Sequence, residues 1–313
     1  MALRNDEEKV NRVASSIAQK NRSLVRWGVR PAGDSYWALV VRRFLRHRLA
    51  VTGLVVLILM SLAALAAPLL APHDPNAMDL FAFSAPPSVE HPLGTDSLGR
   101  DVLSRLLFAS RISLSVGLGA TLINVVVGVL LGGLAGYLGG KVDSAIMRFT
   151  DMILSFPPLM IILVLVSVLG PSLMNVILVL GLLGWPQICR LVRAEILKLK
   201  EQDFIQAARA LGVPDGRILL RHLIPNAFPP VLVAATFGAA QAIIQEASLS
   251  FLGMGVQPPT ASWGNLLTDA QSMGVLGSMP WLWLPPGLMI VVAVLSINFV
   301  GDGLRDALDP RLK

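Results

Sequence analysis

Few residues in this sequence have the types and spacing that chemistry requires. The four histidines, His47, His73, His91 and His222, lie far apart in the chain, and none belongs to a His-Glu-x-x-His zinc pattern. No serine stands in a Gly-x-Ser-x-Gly turn, and no Gly-x4-Gly-Lys-Ser/Thr loop is present to hold the phosphates of ATP. The sequence therefore predicts no catalytic residue, no metal site and no cofactor bound by this chain itself.

His73-Asp74 and Cys189 also have side chains that could bind a metal or form a disulfide. His73 and Asp74 stand between prolines, where a turn is a better interpretation than a metal site. Cys189 is the only cysteine, so an intramolecular disulfide is impossible.

Glu246 is the only acidic residue well inside an apolar stretch. An ionisable residue inside a membrane segment is a functional candidate, so Glu246 could line a substrate path or an outer gate, with Gln241 and Gln245 as neighbours. Counted from Phe228, it lies about 27 Å along its helix, near the membrane interface, where a structural or wetted carboxylate costs less. Both roles stay open at this stage.

The elements that carry these residues are predicted to be membrane helices. The chain has 313 residues, of which 54% are hydrophobic and 15% charged, and its mean hydropathy is +0.66. A soluble chain of this length has about a quarter charged residues. The net charge of +6 could suggest nucleic acid, but the basic residues lie in a few blocks beside apolar stretches, which indicates membrane orientation instead.

The sequence predicts an all-α integral membrane protein with six transmembrane helices. The apolar segments are 49–71, 112–138, 153–170, 174–193, 227–252 and 284–302. The predicted organisation is a tail (1–48), a first transmembrane helix (49–71), an external segment (72–111), a five-helix core (112–302) and a second tail (303–313). Alternate segments hold 23 of the 26 Lys and Arg residues, so both termini and the 190–226 loop are predicted to be cytoplasmic. The basic cluster at 42–48 is expected to contact lipid headgroups, and the tail at 1–41 to be mostly disordered or surface-lying.

Small residues and prolines give two expectations for helix packing. Gly128, Gly132, Gly136 and Gly140 recur every four residues, which predicts a close-packing face within the chain or, alternatively, a contact with a partner. Trp185-Pro186 lies inside the fourth segment and is expected to kink that helix.

The loop after the fourth segment predicts a short amphipathic helix. Apolar residues fall at helical spacing, Asp203 could be the N-cap, and Gly212 suits the C′ position. A second short helix is expected over 217–223, ending at Ile224-Pro225-Asn226. Two small helices at such an elbow would present apolar side chains to a partner. The residues concerned are Phe204, Ala207, Ala208 and Leu211.

This loop resembles the EAA loop of ABC-importer permeases. The family pattern Glu-Ala-Ala-x3-Gly-x9-Ile-x-Leu-Pro is matched here by Gln206-Ala207-Ala208-x3-Gly212-x9-His222-Leu223-Ile224-Pro225. Gln206 replaces the glutamate, His222 the isoleucine and Ile224 the leucine, whereas both alanines, the glycine and the proline match. The resemblance implies a helix that docks into an ATPase subunit.

Two other stretches resemble permeases of the dipeptide, oligopeptide and nickel group. The first begins at His91 and contains Asp96, Arg100, Asp101 and Arg105, spaced i, i+4 so that they could pair on a solvated helix. In the family this region lies near the docking site of the binding protein, which is the alternative role. The second comprises 246–264 and 301–310. With the loop, the resemblance covers about residue 40 to 313.

The resemblance implies a type I ABC-importer permease fold and a non-catalytic translocation subunit. The implied partners are a second homologous permease, two ATPase subunits that hold ATP and Mg²⁺, and an extracytoplasmic solute-binding protein. Di- and oligopeptides are the expected substrates, with nickel, glutathione or another small solute as alternatives. A self-sufficient secondary transporter and a membrane scaffold are rival functions, but no midplane carboxylates or inverted repeat support the former.

Overall fold

The computed structural model describes residues 36–308, and the regular elements in this range are helical. Residues 1–35 and 309–313 lie outside the described range. The expectations for these parts of the two tails therefore stay predictions. From Phe44 onward the described residues form one unit. The all-α prediction is confirmed.

The helices are numbered in chain order. The first seven are α1 (Tyr36–Arg46), α2 (Arg48–Leu65), α3 (Ala67–Leu70), α4 (Val102–Leu138), α5 (Gly140–Leu154), α6 (Pro158–Leu169) and α7 (Leu173–Lys200). Next come α8 (Asp203–Ala210), α9 (Asp215–Arg217), a π-helix (Ile218–Leu223) and α10 (Ile224–Phe251). The last are α11 (Trp263–Leu266), a 3₁₀-helix (Thr268–Gln271), α12 (Met273–Ser278) and α13 (Pro280–Leu308).

Five helical stretches in the described range are long and apolar enough to cross a membrane. They are α2, α4, α7, the continuous stretch Asp215–Phe251, and α13. A sixth span exists if α5 and α6 count together, because the pair passes the same test but is bent by 88°. The prediction of six spans is therefore confirmed only if α5 and α6 together count as one span.

The bend corrects the predicted third span, 153–170, which is not one straight helix. Pro157 is extended and Pro158 begins α6. A residue before proline is driven out of the helical region, and a proline has no N–H for the preceding turn, so the helix stops and restarts. With 12 residues, α6 alone extends about 18 Å, which is less than the thickness of a bilayer core.

Glycines bring α4 and α7 into close contact. A Cβ placed on Gly128 would lie 2.6 Å from the Cβ of Ile188, and one on Gly132 would lie 2.5 Å from the carbonyl oxygen of Cys189. A Cβ on Gly136 would lie 2.9 Å from the Cβ of Ile196. The intrachain packing face is confirmed for these three glycines. It does not include Gly140, which has a φ of +54° and starts α5, and around whose Cβ position no atom from elsewhere in residues 36–308 lies within 4 Å.

The remaining spans pack around α10. α10 contacts α4, α7 and α13, and α13 also packs along α2. Pro186 is buried within α7, which continues through it as one helix of 28 residues. Trp263, the first residue of α11, is fully buried in a core between α2, α4, α10 and α13. The loop 252–262 and α11 thus cover one end of the bundle.

Candidate functional site

Residues 201–226, named the elbow here, connect α7 to α10. In the elbow α8 begins at Asp203, and Gln202 is the N-cap, without a side-chain capping bond. The expectation that Asp203 caps the helix is therefore wrong by one residue. Asp203 lies in the first turn instead, where its carboxylate interacts favourably with the helix dipole.

The carboxyl end of α8 is closed by a Schellman motif. The N–H of Gly212 donates to the carbonyl of Arg209 at 2.9 Å, and the N–H of Val213 donates to the carbonyl of Ala208 at 3.1 Å. Gly212 has a φ of +74°, a conformation that residues with a side chain adopt only with strain. The predicted C′ position of Gly212 is confirmed.

The side chains of α8 divide between an inner and an outer face. Ile205, which the sequence analysis missed, is fully buried and fixes the helix to the core around Leu223. Ala208 packs against the same core, so it does not share the outer face as predicted. Phe204 is 46% exposed and Leu211 84% exposed.

Ala207 and Gln206 are exposed as well. Nε2 of Gln206 donates to the carbonyl of Lys200 at 3.2 Å. The outer face of α8 therefore presents Phe204, Ala207 and Leu211 to solvent.

The second half of the elbow differs from the prediction of a separate short helix. The chain is helical without interruption from Asp215 to Phe251, and the expected end at Ile224-Pro225-Asn226 does not occur. The π-helix precedes Pro225, and the N–H of Ile224 donates to Leu219, five residues back. A wider turn accommodates the proline, which lacks an N–H of its own. The elbow is thus a direct extension of α10.

Tyr137, at the end of α4, connects the elbow to the spans. Its hydroxyl donates to the carboxylate of Asp215, and its carbonyl accepts from Nζ of Lys200 at 2.8 Å. The charged groups of Lys200 and Arg209 lie 5.5 and 6.0 Å from the centre of its ring. Tyr137 could not be predicted from the sequence, because its partners are far away in the chain and no spacing indicates these contacts.

A cavity of about 510 Å³ lies between α4, α7 and α10, and α5 and α6 contribute Leu154, Pro158 and Ile162 to its wall. Most of its lining residues are apolar, but five have amide or hydroxyl groups, and it is named the polar cavity here for these groups. Gln241 and Gln245, one turn apart on α10, line it, and Thr121 and Asn124 line it from α4. Oγ1 of Thr121 and Oδ1 of Asn124 are buried without a hydrogen-bond partner in the described structure. The polar lining residues come from helices that the sequence did not associate, and they include Gln187 of α7.

Glu246 does not line this cavity. It is fully buried, and its carboxylate accepts from the hydroxyls of Ser250 at 2.7 Å and Ser113 at 3.2 Å. Ser113 also accepts from the backbone N–H of Trp263. The carboxylate thus joins α10, α4 and the start of α11. Of the two roles left open above, this placement favours the structural one, although the carboxylate is sealed among protein atoms rather than wetted.

Residues 72–101, named the connecting segment here, join α3 to α4. The predicted Asp96–Arg100 pair is confirmed, whereas the expected solvated helix and the Asp101–Arg105 pair are wrong. Asp96 lies in a turn, where it accepts from the N–H groups of Leu98 and Arg100, and it also pairs with Nε of Arg100 at 2.7 Å. Asp101 is the N-cap of α4 and accepts from the N–H of Ser104 at 2.7 Å.

The second ion pair has a different partner from the predicted one. Arg105 lies beside Asp96, with 3.5 Å between Nε and Oδ2, rather than beside Asp101. Asp96, Asp101 and Arg105 are only 4%, 1% and 3% exposed. The i, i+4 spacing predicted the Asp96–Arg100 pair but not the partner of Arg105, because residues 96–101 precede α4 and form a turn instead of a helix.

Asp269, at the 3₁₀-helix, lies close to this network. Burial, and then the nearby charge of Asp96, raise the pKa of the Asp269 carboxyl, whereas Arg100 and Arg105 oppose the increase. Its Oδ1 lies 3.5 Å from the hydroxyl of Ser97.

The connecting segment also brings two histidines together. The rings of His73 and His91 lie 4.8 Å apart between centroids, although the sequence analysis treated these histidines as separate. Asp74 accepts from the N–H of Asn76, which confirms the predicted turn there. Together with Asp101, the two histidines are the residues that could hold a metal ion in the described part of the chain.

The geometry can be compared with known protein families. Residues 128–313 match the family of binding-protein-dependent transport system inner membrane components. Residues 35–87 match the N-terminal transmembrane domain of oligopeptide transport permease C.

Several relatives are similar over most of the chain. A Brucella suis protein described as a peptide permease is 44% identical over 281 residues, 90% of this chain and 93% of the relative. The dipeptide transport system permease protein of Alkalihalophilus pseudofirmus is 38% identical over 90% of this chain and 94% of its own length. The oligopeptide transport system permease protein of Bacillus subtilis is 37% identical over 89% of this chain and 91% of its own length.

A solved structure is similar at the level of the fold. It is a chain of the MetNI methionine ABC transporter in an inward-facing conformation, with a TM-score of 0.54 and 21% sequence identity. The similarity covers 66% of this chain and 97% of that one.

Proposed function

Because the chain belongs to the family of binding-protein-dependent transport system inner membrane components, we propose that it forms, with a second homologous permease, the translocation pathway of a peptide importer. It is a multi-pass membrane protein and a non-catalytic transport component. The relatives are dipeptide and oligopeptide permeases, which supports di- and oligopeptides as substrates.

The observation that carries this proposal is the structure of the elbow. Ile205 holds α8 on the protein, so Phe204 and Leu211 remain exposed at a fixed position. Exposed apolar side chains on a fixed helix fit a partner's groove. The partner is an ATPase subunit, of which the importer contains two, and ATP and Mg²⁺ bind to those subunits rather than to this chain.

The continuity of the elbow with α10 supports a mechanism of coupling. A displacement of α8 reaches α10 through the helix that starts at Asp215, and it reaches α4 through the bond between Tyr137 and Asp215. ATP binding closes the ATPase pair and moves the elbow as a unit, which tilts α4 and α10 and opens the polar cavity outward. Hydrolysis reverses the movement.

The distribution of basic residues supports the orientation. Since 23 of the 26 Lys and Arg residues fall in alternate segments, both termini and the elbow lie in the cytoplasm, and the connecting segment lies outside. There it faces the solute-binding protein. Asp96, Asp101 and Arg105 are buried, so they shape that docking surface from beneath, while Arg100 lies at its edge.

Gln241 and Gln245 contribute to the pathway on the side of this subunit. Their amides, with those of Asn124 and Gln187, give the cavity neutral donors and acceptors. Such a lining suits the backbone of a peptide without selecting its side chains. Selection by side chain then belongs to the binding protein.

The first test is an affinity purification of the tagged chain from its native membrane, followed by reconstitution of the eluate in liposomes. We expect a second permease and two Walker-motif ATPase subunits, and uptake of labelled di- and oligopeptides that requires ATP and the binding protein. Uptake of nickel or glutathione instead of peptide would assign a different substrate. Transport by the chain alone without ATP would replace the importer by a secondary carrier.

A second test distinguishes a residue on the cavity wall from a neighbouring residue that holds the helices together. Gln245→Leu is expected to lower peptide uptake with normal assembly, because it removes polar groups from the cavity wall. Glu246→Gln is the comparison, since the residue is adjacent but lies off the cavity. If Glu246→Gln lowers the uptake rate of a fully assembled complex and Gln245→Leu does not, the assignment of the pathway is wrong.

A further inference from the structure

We propose that His73, His91 and Asp101 form a binding site for a divalent transition-metal ion of the zinc class. The site lies in the connecting segment, apart from the elbow and the polar cavity. It goes beyond the proposed transport function, since it concerns neither the pathway nor the ATPase contact, and it shares Asp101 with the residues beneath the proposed docking surface.

The distances between the donor atoms support such a site. The ligand atoms of the three residues all lie within 4.8 Å of one another. Nδ1 of His91 and Oδ1 of Asp101 are 3.0 Å apart, close to the roughly 3.4 Å that separates two ligands in a tetrahedral zinc site. The exposed side chain of His73 supplies the third ligand of the set.

The hydrogen bonds of the histidines leave suitable lone pairs. Nε2 of His73 lies 2.9 Å from the carbonyl of Glu90, and because a carbonyl only accepts, this nitrogen carries the proton and Nδ1 is free to bind a metal. Nε2 of His91 lies 3.7 Å from Oδ2 of Asp79. A metal at Nδ1 replaces the proton shared with Asp101, and Asp79 then holds the N–H on the other side of the ring, an arrangement typical of metal-binding histidines.

The charge around the site favours a cation. A cavity of about 580 Å³ opens onto the histidines and is lined by Asp79, Glu90 and Asp101. Within residues 36–308 none of these carboxylates forms an ion pair with a lysine or arginine, since the nearby Arg100 and Arg105 are directed to Asp96. Three carboxylates beside two histidines attract a divalent ion, and the cavity provides its entry.

A bound ion would connect two distant parts of the chain. His73 follows the first span closely, whereas Asp101 caps α4. The ion therefore joins the end of the first span to the start of the second, and it is expected to stabilise the connecting segment against unfolding.

The experiment uses the full chain, purified in detergent with a tag that contains no histidine and stripped of metal with a chelator. Equilibrium dialysis against Zn²⁺ is expected to give one tightly bound ion per chain, and Co²⁺ is expected to give the visible absorption of a site with nitrogen ligands. His73→Ala should weaken Zn²⁺ binding at least tenfold and remove the absorption. Because His73 is exposed, this variant should fold even if His91→Ala does not.

The matched control is His222→Ala, which removes a histidine of the elbow and should leave Zn²⁺ binding unchanged. Zn²⁺ is also expected to raise the unfolding temperature of the wild type and of His222→Ala, but not that of His73→Ala. Equal Zn²⁺ affinity in the wild type and in His73→Ala would overturn the proposal, as would the absence of any tight Zn²⁺ binding to the wild type.

Discussion

The connecting segment buries charged side chains, whereas the elbow exposes apolar ones. The connecting segment contains little regular structure, yet it buries Asp96 and Asp101, together with Arg105 of α4, in a network of hydrogen bonds and ion pairs. The elbow is almost entirely helical, yet it leaves Phe204 and Leu211 exposed. A segment without backbone ladders needs its side chains to hold its shape, whereas a helix satisfies its own backbone and can present its side chains to a partner.

The largest effect is expected in the connecting segment, from Asp96→Ala. The substitution leaves Arg105 buried without its carboxylate and removes an acceptor for two backbone N–H groups, so the free energy of unfolding should fall by about 3–5 kcal/mol. Thermal unfolding of the purified chain in detergent measures the loss. An unfolding temperature equal to that of the wild type would mean that the network does not hold the segment.

A substitution on the outer face of the elbow should weaken the contact with the ATPase subunits and hardly change the stability of the chain. Leu211→Glu places a charge on an exposed position, so the free energy of unfolding should change by no more than about 0.5 kcal/mol. Recovery of the ATPase subunits in the affinity purification should nevertheless fall at least tenfold, because the charge enters an apolar groove.

The matched control for this variant is Val89→Glu, a charge on a fully exposed residue of the connecting segment. It should leave ATPase recovery unchanged. Normal recovery with Leu211→Glu would contradict the docking role of α8. Gly212→Asp is a poorer test, since its φ of +74° adds backbone strain to the effect of the charge.

A smaller effect is expected where the elbow meets the spans. Tyr137→Phe keeps the ring beneath Lys200 and Arg209 but removes the hydroxyl that binds Asp215, at a cost of about 1 kcal/mol. The complex should hydrolyse more ATP for each peptide transported. Asp215→Asn should have a similar effect, and the double variant should be no worse than either single one; fully additive losses would show that the two residues act separately.

The sequence predicted those parts of the fold that depend on local pattern. Apolar length gave the helical membrane class, and the position of Gly212 indicated a C′ residue, since both follow from the chain within a few residues. The bend between α5 and α6 was missed because the apolar run continues through Pro157-Pro158 and hides the break. The continuity of α10 through Pro225 was missed because proline usually ends or begins a helix, and a π-helix accommodates it here.

The candidate sites were harder to predict because they depend on tertiary contacts. Gln241 and Gln245 share a face of one helix, so their common cavity could be expected, whereas Thr121 and Asn124 come from another helix. The pairing of Arg105 with Asp96 follows from a turn rather than from helical spacing. The meeting of His73 with His91 likewise requires the folded connecting segment, which no spacing rule describes.

The smallest effect is expected at Asp269. It tests whether the network of the connecting segment extends to this residue. Burial and the charge of Asp96 raise the pKa of the Asp269 carboxyl in the folded chain, so the folded state binds its proton more readily than the unfolded state does. Stability from this group is therefore fully present below the unfolded pKa and is lost as the pH rises through the folded pKa.

Asp269→Asn removes this dependence, because an amide does not ionise. The variant should unfold at a slightly higher temperature than the wild type near pH 7.5, and the difference should shrink as the pH falls toward 4.5. Paired unfolding curves over this range measure it, with each pair compared at the same pH so that other carboxyls cancel. A difference that stays constant over the range would mean that Asp269 does not titrate under the influence of Asp96, and that the network ends at the connecting segment.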